Sequence, residues 1–172
     1  MKKYIFLALF LFSFSSIYAQ DLFSAARENN VKQIEELILN GKLVDEVNQR
    51  GFTPLILAIY NNSSDAAKVL LSKGANPNAQ DLSGNNALMG AAFRGFPEMA
   101  NLLIANKADV NQVNFNRASA LIFAVTFGQN EIAKKLIEAG TDLNIKDHNG
   151  KTALDHAILQ ENKEMIELLS IK

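Results

Sequence analysis

Two histidines, His148 and His156, are the natural candidates for proton transfer or metal binding in this chain. Asp155 precedes His156, but sequence neighbours on a helix point to different faces. Neither His has a ligand-type partner at i+3 or i+4, the spacing that sets two metal ligands on one helical face. The carboxylates are scattered singly; Glu35, Glu36, Glu164 and Glu167 read as solvated helix faces, not as a general acid and base held together. With no Cys in the chain, disulfides and Cys-based zinc sites are ruled out. Gly90 to Gly95 reads as part of a helix and its turn rather than a phosphate-cradling loop. Asn61-Asn62-Ser63-Ser64 contains glycosylation-like triplets but reads as a polar turn between helices. These residues imply no catalysis, no cofactor and no metal, which leaves binding.

The elements that position any binding residues show themselves as a repeat. Gly51-Phe-Thr-Pro-Leu recurs as Gly84-Asn-Asn-Ala-Leu, Arg117-Ala-Ser-Ala-Leu and Gly150-Lys-Thr-Ala-Leu, each 33 residues after the last. Ala58, Ala91, Ala124 and Ala157 keep the same step, as do Leu70, Leu103, Leu136 and Leu169. Counting back lands on Leu22, Ala25 and Leu37, so a further unit opens near Asp21. Thr53, Asn86, Ser119 and Thr152 are N-cap residues for a first helix. Breaks follow at Asn61-Asn62, Gly95, Gly128 and Glu161-Asn162, then a second apolar helix. Asp65, Glu98 and Glu131 suit the start of that helix, and Gly41, Gly74 and Gly140 suit the left-handed position after it. Asn78, Asn111 and Asn144 begin the link to the next unit.

These motifs, with Gly-Ala-Asn-Pro-Asn-Ala at Gly74 to Ala79, resemble the ankyrin repeat over nearly all of Asp21 to Lys172. The resemblance implies an all-α repeat solenoid: helix-turn-helix units joined by β-hairpin-like fingers. The expected layout is a capping repeat at 20–48, full repeats at 49–81, 82–114 and 115–147, and a capping repeat at 148–172. Polar Lys32, Gln33, Glu35 and Glu36 at one end and Ser170 at the other are expected to limit further stacking. The family's Thr-Pro-Leu-His is never complete, since Ile56, Met89, Ile122 and Asp155 hold the His position. Arg117 stands where the other copies have Gly, and Lys107 replaces a Gly after a helix. Each is expected to carry backbone strain if its φ is positive.

Residues 1–19 have a Lys-Lys start, an apolar run over Tyr4 to Phe14 and small Ala19 at a plausible cut, the order of a secretory signal peptide. The apolar run is shorter than the roughly 20 residues that span a bilayer, and no Cys follows it for lipid attachment. A mature chain starting at Gln20, in the bacterial periplasm or secreted, is the expectation. The chain has 17 basic and 18 acidic residues; loss of Lys2 and Lys3 leaves about −3. That charge gives no pull toward nucleic acid or an anionic membrane. The expected state is monomeric.

By the same resemblance, a protein partner binds on the concave surface of fingertips and first-helix ends. The candidate residues are Arg50, Phe52, Leu82, Asn85, Phe115, Asn116, Arg117 and His148 on the fingers, and Tyr60, Phe93, Arg94 and Phe127 on the first-helix ends. Aromatic and Arg side chains are the types enriched at protein interfaces, and Phe93, Arg94, Phe115 and Phe127 are the expected anchors. Phe93 and Phe127 also read as rings sealing the seam between units, and Arg117 as drift at a tolerant loop. A cell-wall glycan or peptide is the alternative occupant of the groove, kept open by Asn61, Asn85 and Asn116.

Overall fold

A computed structural model describes residues 21–170. The expected signal segment, residues 1–19, and the expected mature start at Gln20 lie outside the described residues. Among those residues are ten helices and no extended strand. In chain order they are α1 (Leu22–Arg27), α2 (Val31–Leu39), α3 (Pro54–Tyr60), α4 (Ser64–Ser72), α5 (Ala87–Arg94), α6 (Pro97–Ala105), α7 (Ala120–Thr126), α8 (Asn130–Glu138), α9 (Ala153–Leu159) and α10 (Lys163–Ser170). They form five pairs, each a first helix followed by a second.

Local chemistry sets each boundary. Thr53, Asn86, Ser119 and Thr152 cap α3, α5, α7 and α9, each side chain accepting from the backbone N–H three residues on. A left-handed residue follows the end of each first helix by one or two positions, at Asn29, Asn62, Gly95, Gly128 and Glu161. That reversal turns the chain antiparallel into the second helix. Gly41, Gly74 and Gly140 take positive φ after second helices, as the sequence implies, and Lys107 does so at φ 66°.

Stacking is a matter of burial. First helices form one layer, α1 on α3, α3 on α5, α5 on α7 and α7 on α9, and second helices form another, with α2 on α4 and α6 on α8. Ala58, Ala91, Ala124 and Ala157 are fully buried, because a larger side chain would hold neighbouring first helices apart. Leu70, Leu103 and Leu136 are equally buried on the inner side of the second helices. Ile56, Met89 and Ile122, in the family's His position, lie in the same core. Asp155, in the fourth copy, instead closes a capping box with Thr152. The described residues include no helix long and apolar enough to cross a membrane.

Two details of the ends differ from the sequence reading. Gln33 is buried rather than displayed; it helps to cap α2, its Oε1 accepting from Asn30 at 2.9 Å. The ends are also not uniformly polar, since Leu39, Leu43 and Val47 are exposed in the first unit and Ile158 and Leu159 in the last. Leu39 and Leu43 occupy places that the solenoid exposes in the later units too, where Ser72, Ala105 and Glu138, or Asn76, Asp109 and Asp142, stand instead.

Candidate partner-binding face

The fingers are built on a polar column absent from the sequence reading. Asn48, Asp81, Asn114 and Asp147 recur every 33 residues. In each, one side-chain oxygen accepts from the backbone N–H groups two and four residues on. The distances are 2.8 and 3.1 Å at Asn48, 2.8 and 2.8 Å at Asp81, 3.0 and 2.9 Å at Asn114, and 2.8 and 3.0 Å at Asp147. An Asn or Asp oxygen does this equally well, so both appear. The residue three after each anchor closes the turn with positive φ: Gly51, Gly84, Arg117 and Gly150, with Arg117 at 59°. The strained backbone expected at Arg117 is therefore present.

Fingers are tied sideways by backbone bonds from Leu82 N to Arg50 O (3.2 Å), Phe115 N to Ser83 O (3.2 Å) and His148 N to Asn116 O (2.9 Å). The linkers are tied too: Asn78 Oδ1 accepts from Asp109 N and Asn111 Oδ1 from Asp142 N, each at 2.7 Å. This framework fixes the fingertips beside the first helices without occupying their outward side chains.

Of the twelve candidate residues, three are committed to the fold. Phe52 and Tyr60 are half-buried and pack on each other with ring centres 5.9 Å apart. Tyr60 also crosses the seam to α5: a Cβ on Gly90 would sit 3.0 Å from the ring, which accounts for that Gly inside a helix. Burial first, then the Asp81 carboxylate, raises the Tyr60 hydroxyl above its ordinary pKa, with Arg94 opposing. Asn85 is half-buried and bridges two anchors; its Oδ1 accepts from Asn114 at 2.9 Å and its Nδ2 donates to Asp81 at 3.4 Å. Its reading as an exposed fingertip contact is thus corrected.

The remaining nine are exposed but do not form one cluster. Phe93 and Phe127 meet edge to face at 4.8 Å across the seam between α5 and α7, and Phe127 stacks on Phe123 at 6.1 Å. They seal that seam and still present 41% and 46% of their surface. Phe115 does not join them. It lies at the fingertip against Gly84, where an added Cβ would fall 2.7 Å from its ring, and is 73% exposed beside Leu82 at 71%. Arg94 is drawn to the Phe96 ring at 5.4 Å, a cation–π contact. Arg117 lines a separate recess with the linker residues Asp142 and Lys146.

Between the third and fourth fingers lies a shallow recess of about 180 Å³, bounded by Asn116, Ile122, Phe123, Phe127, His148 and His156 among others. His156 Nε2 lies 3.0 Å from Asp147 Oδ2, locking the last anchor to α9. Burial pushes the Asp147 carboxyl up, but hydrogen bonds from Lys151 N, His156 and Asn149 N outweigh it and leave the pKa below the ordinary value. The sequence reading missed this pair because the partners stand nine residues apart on different elements. Among the described residues no group of three or more His, Asp or Glu side chains is placed to hold a metal. For a glycan, the amides of Asn61 and Asn85 are already engaged, the former donating to Leu57 O at 2.8 Å. Only Asn116 of that trio keeps an uncommitted amide among the described residues.

Comparison with known proteins agrees with this geometry. A family model described as ankyrin repeats in three copies matches residues 22–114 and again 88–172. The chain is 38% identical over 60 residues to a mitochondrial disaggregase of Bos taurus, covering 35% of this chain and 9% of that protein. It is 37% identical over 54 residues to ankyrin repeat and SOCS box protein 3 of Homo sapiens, 31% of this chain and 10% of the other. Ankyrin repeat domain-containing protein 49 of Drosophila melanogaster is 41% identical over 54 residues, 31% of this chain and 25% of the other. Each match thus spans a quarter or less of the relative's length. The chain belongs to the ankyrin-repeat family.

Proposed function

We propose that this chain is a non-catalytic binding module of the bacterial envelope that holds a protein partner on its fingers and first-helix ends. Ankyrin repeats are in general protein–protein interaction modules. The observation that carries the reading for this chain is the pair Phe93–Phe127. Two rings in mutual contact, each nearly half exposed, form a preorganised apolar step in the middle of the stack. A surface spanning three units can supply the roughly 800 Å² per partner of a stable interface. Export rests on the order of residues 1–19, a basic start, an apolar run and a small residue before the cut.

Two measurements test these statements. Intact mass of the protein from the periplasmic fraction should correspond to a chain starting at Gln20, allowing for its cyclisation. A full-length species held in the membrane would overturn export. For binding, a partner recovered by cross-linking in the envelope fraction is titrated calorimetrically against the Phe93→Ala/Phe127→Ala double variant. Binding should weaken by at least about 2 kcal/mol, as for hot-spot aromatics, once circular dichroism and melting show an intact fold. Lys68→Ala and Lys134→Ala, on the second helices, should bind as the parent does. The reverse result would move the partner to the second-helix face.

A further inference from the structure

The arginines are confined to one side of the stack, where among the described residues a single lysine, Lys151 on the fourth finger, joins them. All four arginines of the chain, Arg27, Arg50, Arg94 and Arg117, lie on first helices or fingers. The second helices carry Lys instead, and four of their five lysines are in ion pairs, Lys32 with Glu36, Lys68 with Asp65, Lys135 with Glu131, and Lys134 with Glu164, with Lys163 the exception. Among the described residues no arginine is in an ion pair. Solvated Lys pairs contribute little and suit a face that stays in water. An unpaired guanidinium is a planar, weakly hydrated donor fork, fitted to carboxylates that arrive from outside.

Arg27 and Arg50 share a recess of about 330 Å³ with Asn48, Gln49, Phe52 and Leu57, and no acidic side chain lines it. Asn48 Oδ1 is already taken by the N–H groups of Arg50 and Phe52, so it does not neutralise the guanidinium groups. Arg27 makes one weak side-chain bond, to Ser24 Oγ at 3.2 Å. At the other end of the stack, the Phe123–Phe127 recess is largely apolar. The surface is thus graded, cationic over the first finger and apolar over the third.

Resting on the protein-binding reading above, we propose that the partner docks through an acidic segment, with a carboxylate in the Arg27–Arg50 recess and an apolar side chain on the Phe123–Phe127 recess. Two guanidinium forks can hold a carboxylate through paired N–H···O bonds, which a Lys cannot reproduce. A peptide fits this surface better than a nucleic acid. The chain's net charge is −1, and exposed Leu82 lies on the finger between the two recesses. A polyanion would call for a continuous basic track.

The test is selection of a phage-displayed random peptide library on the full chain, followed by anisotropy with synthesised, fluorescein-labelled winners. Selected peptides should be enriched in Asp and Glu alongside a large apolar residue. Their affinity should fall about tenfold or more for Arg27→Gln/Arg50→Gln, as for loss of charge-assisted bonds. Arg27→Lys/Arg50→Lys should recover only part of it, and the dependence on NaCl should be shallower for the Gln variant than for the parent. Both side chains are exposed, so the melting temperature should not move. Neutral or basic winners, or winners indifferent to the Gln variant, would overturn the acidic partner; sensitivity to Phe93→Ala/Phe127→Ala would still uphold protein binding. Winners indifferent to both variants, or no enrichment at all, would sink the two readings together. Displacement of the winners by a single-stranded oligonucleotide would reassign the recess to phosphate.

Discussion

The helical layer and the finger layer of this stack repeat with the same 33-residue step but are held by opposite means. Helices meet through apolar side chains of restricted size: Leu70, Leu103 and Leu136 in one column, Ala58, Ala91, Ala124 and Ala157 in another. Fingers meet through backbone bonds, and each is shaped by one Asn or Asp oxygen that captures two N–H groups. Close packing makes the first layer intolerant of changes in volume. The second layer asks only for an acceptor at the anchor and a positive φ three residues later, so its outward positions are open to variation. A surface that must match one partner is best carried on that second layer.

The largest test of this contrast is Leu103→Ala. Leu103 is fully buried on α6, in the central unit with neighbours on both sides. Its truncation should cost on the order of 2–5 kcal/mol, the range for buried Leu that leaves a cavity. Lys68→Ala, exposed on α4, should leave the urea midpoint where it was. Similar losses for the two would mean that the faces of the second helix are wrongly assigned.

The same contrast decides what could be read from the sequence. Columns of Leu and Ala kept in phase over several units are visible without a structure, and so are single-residue caps such as Thr53 and Ser119. The finger anchors escaped because the column mixes Asn with Asp, and its meaning lies in backbone groups that no side-chain pattern records. Asn85 was misread for a related reason. It stands in a fingertip sequence, but its amide turns inward to join Asp81 and Asn114. Sequence proximity and repeat phase group Phe115 and Arg94 with Phe93 and Phe127. The direction of each side chain is fixed by a contact outside the pattern, Gly84 for one and Phe96 for the other.

The polar tie between fingers should be worth less than a buried Leu but more than an exposed contact. Asn85→Ala removes two side-chain bonds, the shorter from Asn114 and a long one to Asp81, and leaves the Asn114 Nδ2 without its partner. A loss of about 1–1.5 kcal/mol is expected from the net value of such bonds, read by urea unfolding. A change within about 0.5 kcal/mol, typical of plain surface positions, would show that the fingers are held by their backbone bonds alone.

The smallest expected effect has the opposite sign. Arg117 occupies a left-handed position, φ 59°, that Gly fills in the other three fingers. A side chain there costs roughly 1–2 kcal/mol, and Gly returns part of that through the greater freedom of the unfolded chain. Arg117→Gly should therefore stabilise the protein by about 0.5–1 kcal/mol. The reciprocal change, Gly84→Ala at φ 79°, should destabilise, since its Cβ would fall 2.7 Å from Phe115 N. If Arg117→Gly raises the melting temperature and leaves partner affinity unchanged, the arginine is drift at a tolerant turn. If it raises stability while weakening binding, the strained residue is kept for its contact, and the recess it shares with Asp142 and Lys146 extends the interface beyond the groove. A fall in stability would show that the finger does not need the left-handed backbone at that residue, and the polar-turn account of the finger layer would fail with it.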